Sequence, residues 1–169
     1  AMLPVYGLAE AALAVTVPPL GREPKVDRVE RAMFERTGRA VPTPESGATT
    51  IAFVSVGRPI PRHEVKIVDG EGREVGERVE GYLWFRGPSA TQGYYRNAEA
   101  TRKLFPEGRD SESVTRNSRK TAGWEPALPG AWVDSGDRAY VADREVYVTG
   151  RVKDIIIKAG RNLYPHEVE

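Results

Sequence analysis

Cysteine is absent from the chain, so neither a disulfide framework nor a thiolate zinc site is available to it. Histidine is nearly absent: His63 and His166 stand far apart, with no ligand-like spacing. Neither charge sign is in excess, because 25 lysines and arginines against 24 aspartates and glutamates leave a net +1. So small a charge gives no bulk field to recruit nucleic acid or an anionic membrane. No apolar run approaches the roughly 18 residues that span a bilayer, and the N-terminus lacks the basic-then-apolar order of a secretory signal. These absences make a cytoplasmic protein, with no nucleic-acid partner and no membrane span, the default expectation. What remains is ordinary for a globular chain: 169 residues, 40% hydrophobic and 29% charged, enough to bury a sizeable core. Length alone predicts about one domain.

Punctuation divides the chain into short pieces. Met2 to Val17 is apolar and alanine-rich, and reads as a strand, a turn at Gly7 and a short helix closed by Pro18-Pro19. Residues 26–37 read as a helix: Val26, Val29 and Met33 recur at helical spacing, Asp27 can cap, and Glu30 stands where a capping-box acid would. Gly38 is the natural stop. Ala40 to Thr50 is loop by composition. A β-rich body follows, with strands expected at Ile51–Val56, His63–Asp69 and Gly81–Arg86, the last apolar enough to be central. Asn97 should cap a short helix running to Leu104. Residues 106–130 are polar, mixed in charge and poor in large apolar groups, which predicts an exposed, poorly ordered loop. Order should resume in a hairpin with Arg138–Val141 and Val146–Thr149 bracketing Asp143-Arg144-Glu145. The isoleucine run after Asp154 signals another strand, and Pro165 sits where a helix would begin.

Four places could face a ligand on physical grounds. Tyr6-Gly7 sets an aromatic ring beside a residue tolerant of unusual backbone angles, so a flat ring could stack there. Glu10 could serve a hard cation such as magnesium, which takes one or two carboxylates plus phosphate oxygens and water. Asp137, after Ser135-Gly136, could accept two sugar hydroxyls. Arg151, after Gly150, offers fixed donors for phosphate or hydroxyl groups. Each has a structural competitor. Glu10 suits a helix-start carboxylate, Asp137 a turn former, and Arg151 with Lys153, Lys158 and Arg161 a solvated strand face.

The order of these stretches together resembles the adenylate-forming superfamily: acyl-CoA synthetases, fatty-acyl-AMP ligases and peptide-synthetase adenylation domains. Tyr6-Gly7-Leu8-Ala9-Glu10 is similar to the family's Tyr-Gly-x-x-Glu element. Gly81 to Pro88 with Gly93-Tyr94-Tyr95-Arg96-Asn97 is similar to its Gly-Glu-(hydrophobic)-Gly…Gly-Tyr-(hydrophobic)-Asn stretch before a helix ending in Phe. Trp132-Val133-Asp134-Ser135-Gly136-Asp137 resembles the Thr-Gly-Asp element, and Gly150-Arg151-Val152-Lys153-Asp154 the Gly-Arg-x-x-Asp element. Gly160-Arg161-Asn162-Leu163-Tyr164-Pro165 looks like the start of the family's small C-terminal domain.

The resemblance implies a fold, a chemistry and roles. The fold would be α+β and β-rich, a distorted antiparallel barrel or strongly bent sheet with a few short helices. Residues 1–152 would be the C-terminal part of the large AMP-binding domain. Residues 153–169 would be the hinge and the start of the small domain, with Lys153 as pivot. Tyr6 and Gly7 would contact adenine, Glu10 a magnesium ion, Asp137 the ribose, and Arg151 ribose or phosphate. The reaction implied is ATP-dependent activation of a fatty or other carboxylic acid as acyl-adenylate, followed by transfer to the thiol of coenzyme A or an acyl-carrier protein. Leu8-Ala9-Glu10-Ala11, with Ala9 where many members carry Thr, is similar to the fatty-acyl-AMP ligase branch. The family's phosphate loop and its C-terminal catalytic lysine would lie upstream and downstream of these residues, so the isolated chain is expected to be inactive. The competing reading is a free-standing, non-catalytic β-rich interaction domain.

Overall fold

The computed structural model describes residues 3–44, 46–106 and 130–152, with the backbone alone of 156–158 and 161–163. Its centre is a four-stranded antiparallel sheet in the order β5 (Glu64–Val68), β6 (Gly81–Arg86), β7 (Val133–Ala142) and β8 (Glu145–Arg151). As its composition predicts, β6 is an interior strand, with Leu83 and Phe85 fully buried. β7 and β8 are joined by Asp143-Arg144, both at positive φ, the backbone that a two-residue hairpin loop needs to match strand twist.

Past β8 the sheet bends rather than closes. β3 (Thr50–Val54) ends at Ser55, which forms an isolated bridge to Tyr147. Beyond it, the Val56 amide donates to the Val146 carbonyl at 2.9 Å and the Val146 amide to that of Gly57 at 2.8 Å. β1 (Thr16–Val17) then pairs with β4 (Arg58–Pro59). The bent-sheet form of the expectation therefore holds and the barrel form does not. β9 (Ile156–Lys158) and β10 (Arg161–Leu163) pair antiparallel, in keeping with the isoleucine run.

Residues 26–37 depart from the expected single helix. Val26–Glu30 is a strand, β2, paired with β3 over five residues, and only Arg31–Thr37 forms a helix, α1. Val29 is fully buried on that strand. Asp27 caps nothing: it accepts from the Tyr140 hydroxyl at 2.7 Å and Arg78 at 2.9 Å. Glu30 occupies the N-cap with no side-chain cap bond, and the Arg31 amide is satisfied by the Thr49 carbonyl at 2.9 Å. Pairing with β3 thus overrides a five-residue helical pattern, since an isolated helix this short is marginal. The stop at Gly38 is as expected, with φ +69 and its amide on the Phe34 carbonyl. α2 (Ala98–Leu104) starts as predicted, the Asn97 side chain accepting from the Ala100 amide at 3.0 Å.

Alternation along β7 and β8 feeds two cores. Ala139 and Val146 join Tyr6, Val15, Leu83, Phe85 and Leu104 on one face. Tyr140, Ala142 and Tyr147 join Val29, Phe34, Ile51 and Phe53 on the other. In the second core Tyr140 and Tyr147 stack at 5.0 Å, and Phe53 meets the Tyr140 ring edge-on at 5.7 Å. The polar segment 107–129 lies outside the described residues, as do Lys153 and the Pro165 helix start.

Candidate functional site

The site begins with an irregularity in β7. Tyr82 pairs with Arg138 and Trp84 with Asp134, so Ser135, Gly136 and Asp137 together oppose Leu83 alone. Such a bulge bends the strand and re-aims its side chains. Three bonds fix it: the Ser135 hydroxyl donates to the Leu83 carbonyl at 2.7 Å, the Asp137 amide to Ser135 Oγ at 3.1 Å, and the Gly136 amide to Asp134 Oδ1 at 2.9 Å. Gly136 holds φ +74, which a residue with a Cβ adopts only at a cost. The Val152 amide also donates to the Gly136 carbonyl at 3.0 Å, tying the end of β8 to the bulge.

Tyr6 reaches Asp137 from the first core. The loop from Tyr6 to Thr16 closes through backbone bonds among Tyr6, Val15 and Thr16, around a 3₁₀ turn at Ala9–Ala11. Gly7 is required there for space rather than for its angles, since a Cβ would sit 1.5 Å from the Leu13 carbonyl oxygen. The Tyr6 hydroxyl donates to Asp137 Oδ2 at 2.6 Å. Burial first, and then this bond to a carboxylate, hold the phenol far above its ordinary pKa, so it remains a donor. From the solvent side, Arg151 Nε donates to Asp137 Oδ1 at 3.2 Å across the β7–β8 register pair. Asp137 is thus buried, with one oxygen on a phenol and the other on a guanidinium whose side chain is 70% exposed.

Glu10 lies in the 3₁₀ turn, four residues after Tyr6 and hence within about 14 Å of it along the chain. Its side chain meets a different partner: the Tyr94 hydroxyl donates to Glu10 Oε1 in a short bond. That bond first, with partial burial added, pushes the Tyr94 phenol up to about 12. The Glu10 carbonyl accepts from the Thr91 amide at 2.7 Å. Among the described residues no group of three or more histidines, aspartates or glutamates is arranged to hold a metal. A partly exposed lone carboxylate suits magnesium when phosphate and water supply the remaining oxygens.

Of the residues singled out in the sequence, the fold joins Tyr6, Asp137 and Arg151 in one hydrogen-bonded cluster. Glu10 stands apart from that cluster on Tyr94, and Lys153 falls outside the described residues. Tyr94 and Ser135 were legible only as letters within motifs. Their contacts span 84 and 52 positions, a separation that no local pattern signals.

Comparison with known proteins extends the picture. A family described as AMP-binding enzyme matches residues 1–95. The long-chain-fatty-acid–AMP ligase FadD26 of Mycobacterium tuberculosis is 34% identical over all of this chain and 27% of its own length. The medium-chain-fatty-acid–[acyl-carrier-protein] ligase TtuA of Teredinibacter turnerae is 31% identical over 99% of the chain and 25% of its own length. A solved structure from a study of fatty acyl-adenylate ligases of E. coli and L. pneumophila superposes on 98% of the chain, with TM-score 0.77, 33% identity and 26% of that structure covered. The chain spans about a quarter of the length of these curated relatives.

Proposed function

Because this chain belongs to the family of AMP-binding enzymes, we propose that it carries the ribose-gripping wall of a ligase that activates a fatty acid as its acyl-adenylate. In that reaction the carboxylate of the acid attacks the α-phosphorus of ATP, pyrophosphate leaves, and the acyl group then passes to a thiol. The observation that carries the proposal is the Asp137 carboxylate, buried in a bulge and fixed by Tyr6 from within and Arg151 from without. Each carboxylate oxygen accepts more than one hydrogen bond, so a sugar diol can still bind an acid whose rotamer is already set. Holding that rotamer before the nucleotide arrives removes an ordering cost from binding. Arg151, mostly exposed and bonded only weakly at 3.2 Å, is free to turn its remaining donors to ribose or phosphate oxygens.

Tyr6 serves this reading chiefly through its hydroxyl, with its ring a wall rather than a freely exposed platform. Glu10 would hold the magnesium, which neutralises phosphate charge when bound. Lys153 would be the hinge position, at the start of the small domain from 153 onward. The names of FadD26 and TtuA favour a fatty acid as the substrate, and TtuA's name supports a carrier protein as one acceptor beside coenzyme A. ATP–pyrophosphate exchange in the whole enzyme tests the reading. Asp137→Ala should raise the KM for ATP by at least tenfold with folding retained, and an unchanged KM would sink it. Assaying thioester formation on carrier protein against coenzyme A then separates the acceptors.

A further inference from the structure

We infer that Tyr94 is a positioning residue for Glu10, its phenol occupying one carboxylate oxygen so that the other is presented to the cation. The inference rests on the reading of Glu10 as the magnesium carboxylate and adds a residue to it. Oε1 accepts from the Tyr94 hydroxyl, whereas Oε2 has no hydrogen bond or ion pair among the described residues. A carboxylate fixed in this way offers one oxygen in a set orientation, as groups behind metal ligands commonly arrange.

The surrounding chain is built to hold Tyr94 in place. Gly93 has φ +130, and a Cβ there would lie 2.6 Å from the Thr101 methyl. The Tyr94 amide donates to Thr101 Oγ1 at 2.9 Å, and that hydroxyl donates to the Asn97 carbonyl at 2.8 Å, within the cap of α2. The Thr91 amide holds the Glu10 carbonyl at 2.7 Å. Residues 91–94 therefore grip both the backbone and the side chain of Glu10, and are themselves anchored on a helix. Packing does not account for Tyr94, which is 38% exposed. The adjacent Tyr95 is 80% exposed, with the Arg96 guanidinium 5.1 Å from its ring.

The test uses the whole enzyme with Tyr94→Phe, Glu10→Gln and the double variant, reading Mn2+ affinity in the presence of ATP by electron paramagnetic resonance. Tyr94→Phe should weaken Mn2+ binding by about tenfold. The half-saturating Mg2+ concentration for pyrophosphate exchange should rise likewise, with a much smaller fall in rate at saturating Mg2+. In the Glu10→Gln background Tyr94→Phe should add nothing, because the two side chains act as one unit. A lower melting temperature with unchanged Mn2+ affinity would make Tyr94 a packing residue and overturn the inference while leaving Glu10 in its role. Unchanged affinity in Glu10→Gln overturns the reading beneath it. Should Tyr94→Phe fail to fold, difluorotyrosine at position 94 gives the same decision. Its more acidic phenol should shift Mn2+ affinity, and no shift overturns the inference.

Discussion

At the scale of single residues, the chain places carboxylates where phenols and guanidinium groups can hold them. Tyr6→Phe removes the inner donor to Asp137 and should cost about 2 kcal/mol by urea unfolding, the range for a hydrogen bond to a charged group. It should also weaken ATP binding. Glu145 is a structural counterpart. It is almost fully buried and takes a two-pronged bond from Arg22 at 2.7 and 2.9 Å, with Ser55 at 2.5 Å. Arg22 first, helped by Ser55, holds its carboxyl down to about 2 against burial. A depressed carboxylate pKa contributes stability that is complete above the unfolded value near 4.5 and is lost as pH falls toward 2. Glu145→Gln should therefore be less stable at pH 7 and show a flatter decline between pH 4.5 and 2; equal slopes would refute the assignment. The chemistry-bearing residue types were legible in the sequence because motif order exposed them. Their hydrogen-bond partners were not, because Tyr6 and Asp137 are 131 positions apart and only the folded sheet joins them.

At the scale of elements, turn and stop chemistry was the most readable signal: Gly38 and Asn97 sit where local rules put them, and the expected loop Asp143-Arg144-Glu145 forms with Glu145 already in β8, leaving Asp143-Arg144 as the turn. These features are set by nearest neighbours in the chain. β2 was misread because Val26, Val29 and Met33 recur at helical spacing, whereas the decisive partner, β3, lies some twenty residues on. The β7–β8 loop yields a stabilising prediction. Arg144 holds φ +63, a left-handed backbone that costs an L side chain about 1–2 kcal/mol. Glycine would remove that strain but lose roughly 0.4–1 kcal/mol through its freer unfolded chain. Arg144→Gly should thus gain about 0.5 kcal/mol, seen as a small rise in denaturation midpoint. Gly7→Ala should do the reverse, because the obstructing atom is backbone and cannot rotate away. A loss beyond about 2 kcal/mol is expected.

At the scale of the molecule, two cores share the β7–β8 hairpin, Ala139 and Val146 on one side and Tyr140 and Tyr147 on the other. Damage to either should be felt in both. Phe34→Ala, in the second core, should cost about 3–5 kcal/mol, and tryptophan fluorescence and far-ultraviolet circular dichroism should still report one transition. Two separated transitions would show the cores to be independent. The β-rich class was readable from composition and punctuation, but the bend at Ser55 was not, since it depends on a bridge to Tyr147 across 92 positions.

The bond from the Val152 amide to the Gly136 carbonyl has a mechanical consequence. The chain departs the sheet from the same two-residue span that orients Asp137, so a pull on whatever follows Val152 is felt first at the bulge. On the proposed reading, a nucleotide seated there would stiffen the anchorage, and a tug on the outgoing chain would loosen the seat. Grip and leverage occupy one piece of backbone.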